Sequence, residues 1–226
     1  MSFRQLQTHP FHDRVDAGRQ LARRLEGQYY RYANGIVLAL PRGGVPVAHE
    51  IATALELPLG LCLVRKLGVP DHAELAMGAI AASGVRVLNQ DLVDRLEISP
   101  DAIEQVTAAE TQELERRRQV YLAGQPPIAV SHRTVILVDD GIATGATLRA
   151  AIAILKKSQV SDIVVAVPVA HPAIIEQLQR QVSDVVCLVT PERLQSISLW
   201  YDEFDQTSDD TVKAILNKQD EQSTSL

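Results

Sequence analysis

The sequence predicts an α/β fold, a mainly parallel central sheet flanked by helices, and three observations carry that prediction. Short, largely β-branched runs recur at 35–40, 59–64, 135–138, 163–169 and 185–189. Stretches with apolar residues at helical spacing separate most of them, near 45–55, 148–157 and 172–181. The runs are apolar throughout rather than alternating, the pattern of strands covered on both faces.

The first element spans 13–26, where Val15, Ala17, Leu21, Ala22 and Leu25 fall on one helical face, with Asp13 as N-cap and Gly27 as stop. The strand at 35–40 ends in Pro41-Arg42-Gly43-Gly44, a tight loop feeding the next helix. The strand at 59–64 leads into Arg65-Lys66 and LGVPDHAEL, whose Gly, Pro and polar content reads as a mobile loop over 67–76. A hairpin around Ser83-Gly84 and a short helix at 90–96 follow. Residues 100–122 form a long helix, closed beyond Gly124 by Pro126-Pro127, whose polar face suits the surface or a partner subunit. Residues 1–218 thus read as one domain with that helix inserted, and the polar stretch 219–226 as a frayed tail.

Composition narrows the function. A chain of 226 residues with 46% hydrophobic and 22% charged residues is an ordinary globular protein. Its net charge of -6 disfavours a polynucleotide partner but not a small phosphorylated ligand. Cys62 and Cys187 sit in apolar runs and read as buried reduced thiols, which points to the cytoplasm. The opening residues lack the apolar core of a signal peptide, and no apolar run is long enough to span a bilayer. His49-Glu50 has Thr53 where a zinc-protease motif needs histidine, and neither GxGxxG nor GxxxxGK[ST] occurs.

The stretch VILVDDGIATGATL, 135–148, carries the chemistry: an apolar strand, Asp139-Asp140, a small-residue turn, then a helix. In an open parallel sheet, ligands collect beyond the carboxyl ends of the strands, where this turn lies. Backbone amides of Gly141, Ile142, Ala143, Thr144, Gly145, Ala146 and Thr147, with the helix dipole and two threonine hydroxyls, suit a phosphate. Adjacent carboxylates would repel a phosphate but suit the hydroxyls of a ribose one sugar length away. An Asp-Asp pair can also simply end a strand and cap a turn. Arg42, Gly43 and Gly44 could wrap a guanidinium and amides around a pyrophosphate, although such a sequence is also ordinary turn chemistry.

Residues 135–148 resemble the 5-phosphoribosyl 1-pyrophosphate (PRPP) motif of the type I phosphoribosyltransferases. From Phe11-His12-Asp13-Arg14 to Trp200-Tyr201 the chain is similar to a bacterial branch of that family. The resemblance implies the type I fold with a small C-terminal hood at about 190–207, Asp139 and Asp140 on the ribose 2- and 3-hydroxyls, and 141–147 on the 5-phosphate. It also implies a non-proline cis peptide in the 41–44 turn, expected here at Arg42-Gly43. Arg65-Lys66-Leu67-Gly68-Val69-Pro70 is similar to the start of the family's catalytic loop, whose cations reach the leaving pyrophosphate; Ala73 departs from the proline usual before Glu74. Ala143 stands where 6-oxopurine enzymes carry a base-contacting aspartate, which disfavours hypoxanthine and guanine.

Arg65, Lys66, Asp139 and Asp140 are therefore the expected catalytic residues, and Trp200 and Tyr201 the candidates for stacking on an acceptor. No direct metal ligand is expected; Mg²⁺ arrives with PRPP and meets Asp139 and Asp140 through water. Transfer from PRPP to a nucleobase-like or amine acceptor is the leading expectation, with a homodimer as the family's habit. A PRPP- or nucleotide-sensing regulator on the same fold is the alternative.

Overall fold

The computed structural model describes residues 10–123 and 127–224. A five-stranded parallel sheet is built from β1 (Gly35–Ala39), β2 (Leu59–Leu61), β6 (Thr134–Val138), β7 (Asp162–Val169) and β8 (Asp184–Val189), in the order β2-β1-β6-β7-β8. Period-2 alternation sends neighbouring residues into two cores. Val37, Ala39, Ile136, Val138, Val164 and Ala166 pack with α1 (Arg14–Tyr29) and α2 (Gly44–Leu55). Ile36, Leu38, Val135, Leu137, Ile163 and Val165 pack with α5 (Ala146–Lys157) and α6 (Pro172–Gln179). The α/β class and the mainly parallel sheet with helices on both faces are as the sequence predicted.

The strand order places the site. The chain moves outward from β1 to β2, then returns to lay β6 on the other side of β1. Loops leaving β1 and β6 therefore diverge, and a crevice opens between their carboxyl ends.

Several boundaries differ from the sequence reading for physical reasons. Helix α1 passes Gly27 because two further residues bring Tyr29 into the core, where it is buried. Its predicted N-cap holds: Asp13 accepts from the Asp16 amide. The stretch read as a mobile loop is instead ladder-bonded: β3 (Val64–Val69) and β4 (His72–Ala81) pair antiparallel, and β5 (Arg86–Leu88) completes a second, three-stranded sheet. Leu67, Val69 and Met77 bury against the core, and Pro70 falls at the turn, where its missing N–H costs the ladder nothing. The Ser83-Gly84 hairpin forms as expected.

Helices α3 (Gln90–Arg95) and α4 (Pro100–Leu122) also form, with Ser99 capping α4 and Pro100 in its first turn. The stop signals at Gly124 and Pro126 lie outside the described residues. The last helix, α7 (Asp209–Thr224), runs into the stretch read as frayed, since Lys218, Gln219, Glu221 and Gln222 are competent helix formers; 225–226 lie outside the described residues. Cys62 is buried, with burial pushing its thiol up to about 12, whereas Cys187, expected buried, is only half-buried because β8 is an edge strand. Among the described residues, no helix is long and apolar enough to cross a membrane.

Candidate active site

Two loops meet at the β1/β6 crevice. Leu40, just past β1, donates to Val138 O at 2.9 Å and so draws the 41–44 turn against the end of β6. A non-proline cis peptide lies in that turn between Pro41 and Arg42, one bond upstream of its expected place. Gly43 is then pressed on the acid pair: a β-carbon there would sit 2.0 Å from Asp140 Oδ2, and one on Gly44 2.7 Å from Val138 O. Glycine is required at both positions because the two turns leave no room for a side chain.

The acids are held from several sides. Asp139 Oδ1 accepts from the Asp140 amide at 2.9 Å. Asp140 Oδ2 accepts from Arg14 Nε at 2.7 Å, with the two side chains 12% and 17% exposed. Arg14 lies 3.8 Å above the Phe204 ring and donates to Asp205 O at 2.7 Å. Desolvation first, then the Asp140 carboxylate, raise the Asp139 pKa well above its ordinary value; the Asp140 amide opposes them. Arg14 is thus the counter-charge that allows two carboxyls to share this place. Its location in the Phe11-His12-Asp13-Arg14 stretch is the available signal, but nothing in sequence spacing links residue 14 to residue 140.

Tyr201 belongs to the same support. Its hydroxyl donates to the Asp140 carbonyl at 2.7 Å, and its ring packs on Phe11 and Phe204 at 5.2 and 4.7 Å. With 2% exposure it anchors the acid turn and cannot stack on an acceptor; Trp200 beside it is half-buried.

Downstream of the acids, Ala143 and Thr144 are exposed, and the amides of Ala143, Thr144 and Gly145 meet no protein acceptor among the described residues. Gly145 adopts φ +71°, which turns the chain into α5 and aims the helix N-terminus at the same place. Ala146 and Thr147 open that helix, and the Ala146 amide lies 3.4 Å from Thr144 Oγ1. Ile142 leaves the predicted phosphate set: its amide donates to Val169 O at 2.8 Å and its side chain is buried, because a β-bridge to Ala170 continues the sheet one step.

Beside the crevice lies a cavity of about 570 Å³ lined by Pro41, Arg65, Lys66 and Thr147 among others. The structure therefore brings the first turn, the β3 cations and the start of α5 to one space. Arg65 is paired with Glu110 of α4 at 2.5 Å, and Arg42 with Asp209 of α7 at 3.5 Å. Asp209 also accepts from the Tyr121 hydroxyl at 2.7 Å, which with Arg42 holds its carboxyl below the usual range. No carboxylate lies within ion-pair distance of Lys66 among the described residues. Sequence patterning could not show that α4 and α7 would cover these cations.

Comparison with known proteins bears on this arrangement. A family model described as the phosphoribosyl transferase domain matches residues 5–202. Curated proteins from two strains of Mycobacterium tuberculosis, named provisionally as phosphoribosyl transferases, are 44% identical over 208 residues, covering 92% of this chain and 46% of theirs. The chain thus spans about half the length of the curated relatives it matches. A crystal structure from Thermus thermophilus superposes with a TM-score of 0.85 at 36% identity, covering 92% of this chain and 98% of that one.

Proposed function

We propose that this chain, which belongs to the phosphoribosyl transferase domain family, moves the 5-phosphoribosyl group from PRPP to a nitrogen acceptor and releases pyrophosphate. The observation that carries the reading is the meeting, at one switch point, of the acid pair, the glycine turn and the free amides at the start of α5, beside a cavity bearing Arg65 and Lys66. Asp139 and Asp140 take the ribose hydroxyls. The amides of Ala143, Thr144 and Gly145, with Gly141, Ala146 and the hydroxyls of Thr144 and Thr147, take the 5-phosphate. Arg42, Gly43 and Gly44, with Arg65 and Lys66, take the pyrophosphate.

In the transfer, an acceptor nitrogen gives its lone pair to the anomeric carbon while the bond from that carbon to pyrophosphate breaks, and the leaving group takes the bonding pair. Positive charge grows on the sugar beside the twin acids, and negative charge on the leaving group beside the cations. Fixed charges placed for both are what lower the barrier. The proton lost by the acceptor passes to solvent or to the departing pyrophosphate.

Magnesium fits as an ion carried in by the ligand. Among the described residues, no three metal-binding side chains converge, but Asp139 and Asp140 offer carboxylate oxygens through water. Bound there, the ion supplies stabilisation of charge on the pyrophosphate. The partners that suit this reading are PRPP, an acceptor and a second copy of the chain, in the cytoplasm. Residues 1–218 act as one transferase domain, with a hood at 190–207 and Trp200 as its remaining acceptor contact.

The test is pyrophosphate release from Mg-PRPP across a panel of nucleobase and amine acceptors. Turnover above that of an Asp139→Asn, Asp140→Asn double variant supports transfer. PRPP binding by calorimetry with no turnover on any acceptor assigns the chain instead to ligand sensing, and no PRPP binding rejects both.

A further inference from the structure

Helix α4 forms a wall of the cavity: Val106, Ala109, Glu110 and Arg117 line it with Arg65 and Lys66. Positions 106, 110, 113 and 117 follow one stripe along the helix. Glu110 neutralises Arg65 across that space. Among the described residues, Arg117 is gripped from its own helix alone, by Glu113 four residues earlier at 2.8 Å, and Glu113 is shared with Arg116 at 2.7 Å. The Arg117 side chain keeps 27% of its exposure. Once the Arg65–Glu110 pair is set aside, the lining holds Lys66 and Arg117 as cations against Asp71, an exposed turn residue. That leaves one cation in excess, which favours an anionic ligand, and a guanidinium offers the fork that grips phosphoryl oxygens.

We propose that Arg117 is a third cation of the pyrophosphate subsite, delivered by α4 to join Arg65 and Lys66. The inference rests on reading the cavity as that subsite. The bland alternative makes Arg117 one half of a helix-surface pair with Glu113. The two readings separate on Arg117 itself, whose loss weakens pyrophosphate binding only in the first.

The experiment titrates Mg-pyrophosphate into the full chain by calorimetry, for the natural protein, Arg117→Gln, Arg117→Lys and Glu113→Gln. Arg117→Gln is expected to weaken binding about tenfold or more, the loss of one charge-assisted contact. Arg117→Lys recovers part of that loss, and Glu113→Gln leaves the affinity equal or tighter. Binding by Arg117→Gln within about threefold of the natural protein overturns the proposal, as does a loss in Glu113→Gln as large as in Arg117→Gln. A measurement that needs no variant is modification of Arg117 by phenylglyoxal, read by peptide mass. Pyrophosphate should shield it, and equal labelling with and without pyrophosphate overturns the assignment. If the natural protein binds no pyrophosphate at all, the transferase reading fails and takes this inference with it. If it binds and only Arg117 proves indifferent, the transferase reading stands.

Discussion

Arg14 Nε and Asp140 Oδ2 lie 2.7 Å apart, so the start of the first helix and the acid turn 126 residues later are joined by one mostly buried ion pair. Removing one partner of such a pair strands the other's charge, at a cost of about 3 kcal/mol. Arg14→Met should therefore lower the melting temperature by roughly 10 °C. Adding Asp140→Asn should return a good part of that loss. Additive losses in the thermal melts of the two single variants and the double variant would show that the pair carries no coupling.

The 2.0 Å approach of a residue-43 β-carbon to Asp140 Oδ2 leaves no space for a methyl group. Gly43→Ala must push the acid aside or lift the turn. Displacement of about 1 Å at a reacting centre costs on the order of 100-fold in rate. Turnover with Mg-PRPP should drop by that factor while circular dichroism stays unchanged; normal turnover would place the acids outside the reaction.

Asp139 bears on stability against pH. A carboxyl whose folded pKa lies above its unfolded value favours folding while protonated and opposes it once ionised. Its penalty is absent below the unfolded pKa, near 3.8, and complete only above the raised folded one. Asp139→Asn should thus melt higher than the natural protein at neutral pH. The gap should close as the medium is acidified toward the unfolded pKa. A gap that ignores pH, or an Asn variant less stable at neutrality, contradicts the raised pKa.

Glu110 pairs with Arg65. An incoming pyrophosphate competes with that carboxylate, so Glu110→Gln should tighten Mg-pyrophosphate binding by roughly two- to fivefold, the scale of a partly exposed pair. Weaker binding in calorimetry would mean that Glu110 positions Arg65 instead of opposing the ligand.

Much of this was legible in the chain, for identifiable reasons. Strands β1, β6 and β7 are apolar almost end to end, and the acid turn follows β6 with a helix behind it, so local patterning sufficed to place Asp139, Asp140 and Thr147. Residues 67–76 misled because Gly68, Pro70 and polar neighbours suggest a loop, while burial of Leu67, Val69 and Met77 decides for strands. Tyr201 could equally have faced a ligand or the interior, and its burial together with its bond to the Asp140 carbonyl decides for the interior. Arg14, Glu110 and Asp209 act through contacts that no short window along the chain reveals.

The β3–β4 pair is regular from Val64–Ala81 to Leu67–Gly78 and is fastened at its base by Ala82 N–H to Leu63 O at 3.0 Å, whereas its register shifts on either side of Gly68. Arg65 and Lys66 both sit in the regular half, so the ladder holds ammonium and guanidinium as one unit. Deuterium uptake should then be slow from Val64 to Leu67 and fastest beyond Gly68, toward the tip at Pro70-Asp71.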